Sequence, residues 1–363
     1  MDRIRMPMPA RTKTAIRLGF VPLLDCAPLV IAHELGLFGK HGLNVVLQRE
    51  LGWATIRDKI VYRELEAAHA LAAMPIAATL GLGSSVCDCV TGLVLNLHGN
   101  AITLSNALWE QGVRDGATLR EVLRTSRREK TLTFGAVGNV SSHLFLLRQW
   151  LTEAGIHPDR QARIVIVPPP QMPTNLAAGH LDGYCVGEPW NSAAAQARTG
   201  WCVATSADLA PGHPEKVLMA RREFAEKRSA EHVALIAALL ESCEFCAQPE
   251  NHERIIAILA QPRYVGVSES ALRGPLSGQL EVGHGSTRRV NDFIVFSGAD
   301  ANEPSADKAG WILNHLRRAV PGLEPSRVNA ALGARVFRTD LYADAIRLRN
   351  TAPEATTTTV LTD

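Results

Sequence analysis

The sequence predicts an α/β fold in which two lobes enclose a ligand cleft. Strand-like and helix-like runs alternate from residue 15 to about residue 198, which is typical of α/β proteins. The alternation forms two βαβαβ-like blocks, over 15–97 and 131–198, and the chain turns mainly helical after about residue 216. Ligands of such folds bind where the carboxyl ends of strands face a crevice. We therefore expect the loops after the strands to carry the function.

The first block begins with a strand at 15–21, where apolar and polar residues alternate. A helix follows over 26–38, because apolar residues recur at helical spacing until Gly39. Met74-Pro75 opens a later helix, since proline is tolerated in a first turn. The predicted order is strand 15–21, helix 26–38, strand 44–49, helix 53–65, strand 67–73, a helix from 74 and strand 92–97.

The second block repeats this alternation of strands and helices. Three consecutive prolines at 168–170 end one of its strands firmly. Its predicted elements are strand 131–137, helix 141–154, strand 164–167, helix 172–178, strand 184–186 and a helix from 188 to about 198. Apolar residues at helical spacing then predict helices at 230–247, 251–260 and 306–319.

These blocks predict the domain organisation. Lobe I comprises residues 14–106 plus 214–345, and lobe II comprises residues 107–213. Residues 1–13 form an N-terminal tail. Residues 346–363, which include four consecutive threonines, form a flexible C-terminal tail.

Composition excludes several classes of protein. The 363 residues are 46% apolar and 20% charged, so the chain can bury a large core and is not disordered. A net charge of +2 and 5% aromatic residues argue against direct nucleic-acid binding. We interpret the basic run 124–130 as a solvated connector. Seven cysteines, an odd number in a long chain, favour reduced thiols over a disulfide framework.

The start of the chain bears on its location. Basic residues interrupt every apolar run that could form a secretory signal, namely Arg3, Arg5, Arg11 and Lys13. No stretch approaches the roughly 18 apolar residues of a membrane span. We therefore expect a cytoplasmic protein without a membrane segment.

The loops after the strands carry a recognisable set of motifs. They are LGFVPLLDCAPLVIAHELGLFGKHGLNV (18–45), WATIRDKIVYRELEAAHALAAMPIAATLGLG (53–83), LNLHGNAITLS (95–105), VPPPQMPTNLAAGHLDGYCVGEPWN (167–191) and HPEKVLMARREF (213–224). Together they resemble the nitrate- and bicarbonate-binding proteins of the NrtA/CmpA type, which are solute-binding components of ABC transporters. The resemblance implies a type II periplasmic-binding-protein-like fold with a hinge and a ligand cleft.

The resemblance also implies the anion site. Nitrate is a small planar monoanion with weak acceptor oxygens, so its site needs N–H donors and little bulk. By resemblance, the side chains that line the pocket are Trp53, Asn100, His143 and Lys216. The backbone N–H groups of Ala54 and Thr55 begin a helix, where the dipole favours an anion. Glu188 and Trp190 complete the predicted ligand set, and Asp25 could orient a donor.

Each candidate has a purely structural alternative. Trp53 could pack between elements, His143 could be a core or capping residue, and Asn100 could serve a turn. Lys216 could be a surface lysine paired with Glu215. Glu188 could simply favour a helix N-terminus. If the resemblance holds, Lys216→Ala should abolish anion binding and leave the fold intact.

Three functions compete. Because the chain shows no export signal, it looks within the family like the cytoplasmic nitrate/nitrite sensors of the NasS type. Those sensors hold an RNA-binding antiterminator of the NasT type inactive until the anion binds. The alternatives are a solute-binding component of a nitrate or bicarbonate ABC transporter and an enzyme related to thiamine-pyrimidine synthases. We expect no catalytic step, cofactor or metal, because no phosphate loop, HExxH or trustworthy catalytic triad is present.

Overall fold

The computed structural model describes residues 14–125 and 131–351. The predicted tail at 1–13 and most of the basic run 124–130 lie outside these residues. The strands are β1 (Ile16–Phe20), β2 (Val45–Arg49), β3 (Ala67–Leu71), β4 (Cys89–His98), β5 (Asn100–Ser105), β6 (Leu132–Ala136), β7 (Ala162–Ile166), β8 (Gly183–Gly187), β9 (Gly200–Thr205), β10 (Pro214–Arg221), β11 (Gln279–Gly283), β12 (Ser286–Arg289) and β13 (Ile294–Val295).

The helices in chain order are α1 (Ala27–Glu34), α2 (Leu37–Lys40), α3 (Trp53–Val61), α4 (Met74–Leu80), α5 (Asn106–Glu110), α6 (Gly116–Thr125), α7 (Ser142–Glu153), α8 (Met172–Ala177), α9 (Trp190–Gln196), α10 (Ser206–Leu209), α11 (Arg222–Lys227), α12 (Ser229–Ala247), α13 (His252–Leu259), α14 (Glu269–Ser277), α15 (Ala306–Ala319), α16 (Ala330–Val336) and α17 (Thr339–Thr351). Short 3-10 helices cover Leu24–Cys26, Pro169–Gln171, Pro249–Asn251 and Pro325–Arg327. Among the described residues, no helix is both long and apolar enough to cross a bilayer.

Lobe I is built on a six-stranded sheet of order β13-β4-β10-β3-β1-β2. β1 runs parallel to β2 and β3, whereas β10 runs antiparallel to β3 and β4. Lys216 near the start of β10 therefore pairs with Leu71, the last residue of β3. This topology brings the start of β10 to the same sheet edge as the carboxyl ends of β1, β3 and β4.

Lobe II is built on a five-stranded sheet of order β7-β6-β8-β5-β9. β6 runs parallel to β7 and β8, and β5 runs antiparallel to β8 and β9. Asn100, the first residue of β5, pairs with Gly187, the last residue of β8. Two sheets flanked by helices confirm the predicted two-lobed α/β fold.

The chain passes from one sheet to the other at Gly99, between β4 and β5. Gly99 has a φ of +92°, which glycine adopts without the clash that a Cβ would cause. This crossing precedes the lobe boundary predicted at 106, because β5, which the sequence pattern did not reveal, pairs with β8 and β9 of lobe II. The chain returns to lobe I through 206–213.

Two C-terminal features differ from the predicted domain limits. The hairpin of β11 and β12 packs on β9 and α9 of lobe II, and Arg288 in it forms an ion pair of 2.7 Å with Asp208. Part of the segment 214–345 thus belongs with lobe II. Helix α17 continues to Thr351, beyond the start predicted for the flexible tail at 346; the residues after Thr351 lie outside the described part of the chain.

The predicted helix at 26–38 is interrupted. Helix α1 ends at Glu34 and α2 begins at Leu37. Gly36 between them has a φ of +69°, a left-handed conformation that ends a helix.

The two lobes share one buried apolar cluster. Leu23, Trp53 and Leu71 of lobe I pack in the same cluster as Val137 and Tyr184 of lobe II. The backbone N–H of Leu24 also donates a 2.8 Å hydrogen bond to the carbonyl of Glu188 in lobe II. These contacts bring the lobes together and shield the sheet edge between them from water.

His232 gives the fold a testable pH dependence. It is fully buried in α12, with its ring 5.6 Å from that of Phe224, and burial lowers its pKa from 6.5 to about 4. Below pH 6.5 the His232 ring binds a proton in the unfolded chain but stays neutral in the folded protein. The contribution of His232 to stability is therefore lost as the pH falls from about 6.5 towards 4. The unfolding free energy of the wild type falls when the pH is lowered from 7 to 5.5. In His232→Leu this fall should be smaller by about 1 kcal/mol. Urea titrations at the two pH values measure it, and an unchanged loss would contradict the assignment.

Candidate functional site

Ionisable and polar side chains are buried together at the sheet edge where the lobes meet. They lie after β1, in β3, at the start of β5, at the start of α7 and around the start of β10. Their exposed fractions are 1% for Asp25, 0% for His69, 0% for Asn100, 4% for Ser142, 0% for His143, 2% for His213, 0% for Glu215 and 0% for Lys216. Buried charges are stable only when they are paired and hydrogen-bonded.

Lys216 is held by two carboxylates. Its Nζ lies 2.7 Å from Oδ2 of Asp25 and 2.6 Å from Oε1 of Glu215. Burial alone would lower the pKa of Lys216, but the two carboxylates outweigh it and raise that pKa, so the ammonium stays charged. Successive strand residues normally point to opposite faces. The pairing of β10 with β4 shifts register between Pro214 and Met219, and such an irregularity allows Glu215 and Lys216 to meet.

The carboxylate of Glu215 is surrounded by donors. Its Oε2 accepts hydrogen bonds from Nδ2 of Asn100 at 2.6 Å and from Oγ of Ser142 at 2.5 Å. Nε2 of His213 lies 3.3 Å from Oε2, and Nε2 of His143 lies 3.5 Å from Oε1. Burial would raise the pKa of Glu215, but the adjacent ammonium and the histidines hold that pKa well below its ordinary range.

Asp25 links Lys216 to His69. Nε2 of His69 lies 2.9 Å from Oδ1 of Asp25. Burial lowers the pKa of His69 despite the nearby carboxylate, which keeps the ring neutral. Burial would raise the pKa of Asp25, but Lys216 and His69 outweigh it and lower that pKa. Nδ1 of His69 has no hydrogen-bond partner within the described residues.

Trp53 covers the cluster from the start of α3. The side chain is 4% exposed, and its ring centroid lies 5.4 Å from Nζ of Lys216 and 5.2 Å from the ring of His69. In the described part of the chain, its indole Nε1 is buried without a hydrogen-bond partner. The side chains of Ala54 and Thr55 face solvent, while their N–H groups belong to the first helical turn, where no intrahelical partner is available.

Glu188 and Trp190 lie directly after β8, at the start of α9. Oε2 of Glu188 accepts a 3.1 Å hydrogen bond from the backbone N–H of Ser192 in α9, and burial raises the pKa of Glu188 to about 7. Trp190 packs partly buried against the apolar cluster between the lobes, and its carbonyl accepts a hydrogen bond from the Tyr184 hydroxyl. The Glu188 carboxylate thus contacts the beginning of α9, as in the structural alternative considered for it.

The cluster combines many donors with an excess of negative charge. One ammonium, Lys216, faces two carboxylates, Asp25 and Glu215. Burial lowers the pKa of His143 to about 4, so this ring is neutral and offers a single N–H. Among the described residues, no group of three or more His, Cys, Asp or Glu side chains is placed to hold a metal ion. The cluster thus gathers several donors around acceptor oxygens, and the carboxylate of Glu215 accepts from Asn100, Ser142 and Lys216.

The sequence indicated part of this cluster. Trp53, Asn100, His143, Lys216 and Asp25 lie within it or against it, as the motifs suggested. The sequence reading missed His69, Ser142 and His213 and treated Glu215 only as a surface partner. His69 carried a signal, because it is the one polar residue of the buried strand AAHAL; the others lie in segments whose local pattern shows no ligand spacing.

Comparison with known proteins assigns the family. Residues 10–260 match the model of the NMT1-like family. The chain belongs to this family. It is 41% identical over 338 residues to the nitrate import ATP-binding protein NrtC of Synechocystis sp. (strain ATCC 27184 / PCC 6803 / Kazusa). The matched region covers 92% of this chain and 50% of NrtC. The chain thus spans about half the length of this relative.

Two binding proteins are also similar to this NMT1-like chain. The nitrate/nitrite binding protein NrtA of Synechococcus elongatus (strain ATCC 33912 / PCC 7942 / FACHB-805) is 30% identical over 344 residues, covering 92% of this chain and 77% of that protein. The crystal structure of the periplasmic nitrate-binding protein NrtA from Synechocystis PCC 6803 has a TM-score of 0.86 at 27% identity, covering 92% of this chain and 89% of the other. The predicted NrtA-type resemblance and the periplasmic-binding-protein-like fold are confirmed.

Removing the cation of this NMT1-like chain should cost stability. Lys216→Met leaves Asp25 and Glu215 buried without their cation, so we expect a loss of about 3–5 kcal/mol in unfolding free energy. The sequence predicted an intact fold for Lys216→Ala, but a loss of stability is expected because the Lys216 ammonium is buried between two carboxylates. Urea denaturation at pH 7 measures the effect.

Lys40→Met is the matched control. Lys40 is 56% exposed and forms a 2.6 Å ion pair with Glu241, so its loss should change the unfolding free energy by less than about 1 kcal/mol. Equal effects of the two substitutions would contradict the assigned role of Lys216.

Proposed function

We propose that this chain binds nitrate or nitrite in the cleft between its lobes. The observation that carries the proposal is the convergence of N–H donors in one solvent-shielded cluster. The donors are the ammonium of Lys216, the amide of Asn100, the ring of His143 and the indole of Trp53, which has no hydrogen-bond partner among the described residues. Small planar anions with weak acceptor oxygens suit such a set, because several modest hydrogen bonds can act together.

The relatives support this choice of ligand. NrtA of Synechococcus elongatus is named for nitrate and nitrite binding, and the structurally similar NrtA of Synechocystis is named for nitrate binding. Bicarbonate is a second candidate anion, since a bicarbonate transport ATP-binding protein, CmpC of Synechococcus elongatus, is 38% identical over 312 residues. These anions each carry one negative charge, so size and hydrogen bonding must separate them, and the short amide of Asn100, which donates to Glu215, bears on both properties.

We further propose that the chain is a cytoplasmic sensor of the NasS type. In this proposal it holds a NasT-like RNA-binding antiterminator and releases it when the anion binds, which turns on nitrate assimilation genes. All seven cysteines are free thiols, which is compatible with a reducing compartment. The chain itself contacts neither nucleic acid nor membrane in this proposal, and no chemical step is part of it.

A sensor needs an energetic link between anion and partner. The partner must bind the anion-free form more tightly, because a ligand shifts an equilibrium only through differential affinity. The seam between the lobes supports this link, since both lobes contribute to the cluster that the anion enters. A coupling of about 1–3 kcal/mol would weaken the partner's hold between about 5-fold and about 150-fold.

The second candidate function is a solute-binding component of a nitrate or bicarbonate ABC transporter. The names of the relatives favour it, because NrtC is an import ATP-binding protein and the solved NrtA is periplasmic. The two candidates share the anion site and differ in location and partner.

The first test is thermal unfolding of the full chain with nitrate, nitrite, bicarbonate or sulfate. An anion at 100 times its Kd should stabilise the folded state by about 2.7 kcal/mol and raise the melting temperature by several degrees. Nitrate or nitrite should raise it, and sulfate should not. Trp53→Phe, which keeps an apolar ring but deletes the indole N–H, should weaken the rise for both nitrate and nitrite.

Trp201→Phe is the matched control for Trp53→Phe. The indole nitrogen of Trp201 is likewise buried without a partner in the described part of the chain, but its ring packs against Trp109 within lobe II. This variant should keep the full anion-induced rise. If nitrate and nitrite leave the wild-type melting temperature unchanged, the anion proposal is wrong.

The second test addresses the sensor. Affinity-tagged chain should retain a NasT-like antiterminator in the absence of anion and lose it at millimolar nitrate or nitrite, with chloride at equal ionic strength as the control. Cell fractionation should find the chain in the cytoplasm. Recovery from the periplasm, together with antiterminator retention that ignores the anion, would instead favour the transporter component.

A further inference from the structure

Glu215 takes up the donors that the proposed anion requires. Its carboxylate is contacted by Lys216 at 2.6 Å, by Asn100 at 2.6 Å and by Ser142 at 2.5 Å. His143 lies 3.5 Å from it. Three of these four residues were also predicted as anion ligands, so one internal group already uses the donor set.

A carboxylate resembles nitrate and nitrite in the property these donors recognise. Each is a planar anion whose oxygens only accept hydrogen bonds. Glu215 takes one of the two amide hydrogens of Asn100 and one of the three ammonium hydrogens of Lys216, each at 2.6 Å. An anion that arrives at the place of the Glu215 carboxylate therefore competes with it for these hydrogens.

Glu215 also joins the lobes as a cleft ligand would. It lies in β10 of the lobe I sheet, whereas Asn100 begins β5 of the lobe II sheet and Ser142 begins α7 of lobe II. All three side chains are at most 4% exposed. The carboxylate thus bridges the two lobes within the described structure.

Charge adds to this competition. The cluster pairs one ammonium with two carboxylates, and a bound monoanion would add a further negative charge at a distance of a few ångströms. In a poorly solvated site, repulsion between like charges at such distances is strong. Removing the charge of Glu215 therefore favours the anion in two ways, by freeing donors and by relieving repulsion.

We propose that Glu215 is a resident anion of the cleft, which bridges the lobes and which nitrate or nitrite must displace from Asn100, Ser142 and Lys216. This inference rests on the proposed anion binding and deepens it. It makes Glu215 the residue that sets how much anion is needed. The affinity of the wild-type site then depends on how much more strongly the donors bind nitrate or nitrite than they bind the Glu215 carboxylate.

The test is isothermal titration of nitrate and of nitrite into wild-type chain and Glu215→Gln at pH 7. Glutamine keeps the shape but loses the charge, and we expect the Kd to fall at least about tenfold. Glu66→Gln is the matched control. Glu66 pairs with Arg17 at 2.7 Å near the starts of β1 and β3, which is the opposite edge of the sheet. Glu66→Gln changes the net charge by the same amount as Glu215→Gln, so the Kd of Glu66→Gln for the anion should stay within about twofold of the wild-type value.

The outcomes separate this inference from the proposed function. If the wild type binds the anion and Glu215→Gln binds it equally or more weakly, the resident-anion role is overturned and the proposed anion site is retained. Binding by Glu215→Gln alone supports the resident anion and contradicts nitrate or nitrite sensing by the wild type. No binding by either folded protein overturns both.

Glu215→Ala provides a second readout if glutamine impairs folding. Vacating the side chain should create a place that a small planar anion can fill, so formate or nitrate should raise the melting temperature of Glu215→Ala more than that of wild type. The same anions should act alike on wild type and Glu66→Gln. A rise no larger in Glu215→Ala than in wild type would also overturn the resident-anion role.

Discussion

The ion pairs of Lys216 with Asp25 and Glu215 are the constraint on which the centre of this molecule depends. Three charges are fully or almost fully removed from water, and each would be costly if left unpaired. Satisfying them requires the turn after β1, the irregular start of β10, the first residue of β5 and the first turn of α7 to meet at one sheet edge. The same requirement fixes the relative placement of the lobes, because Asn100 and Ser142 reach Glu215 from the other side of the seam.

Much of the architecture follows from periodicity in the sequence. The helix expected at 306–319 matches α15 (Ala306–Ala319), and the first strands and α3 lie where the pattern placed them. β10 escaped this reading, because the stretch beginning HPEK has charged residues that are typical of a loop. They are buried only because partners distant in sequence, such as Asp25 and Asn100, neutralise or bind them. The hairpin β11–β12 escaped for a similar reason, as β12 is exposed along its length and has no apolar alternation to reveal it.

The candidate site shows the same division. Motifs identified Trp53, Asn100, His143 and Lys216, but they indicated which residue types converge and not what these residues contact. The contacts depend on tertiary charge balance, which no local pattern records. Glu188 shows the opposite case. Its position at the start of a helix is sufficient to explain the hydrogen bond that it accepts from Ser192. A family motif therefore locates a cleft more reliably than it assigns the partner of each side chain within it.

The path of the chain between the lobes has a mechanical consequence. Within the described residues the chain crosses at Gly99, returns through 206–213, and visits lobe II again with β11 and β12 before rejoining the first sheet at β13. A body attached by several short covalent links has fewer degrees of freedom than one attached by a single tether. Sliding or separating the lobes would stretch at least one of these links. The repeated crossing of the chain therefore restricts the movement of one lobe relative to the other more than a single crossing would.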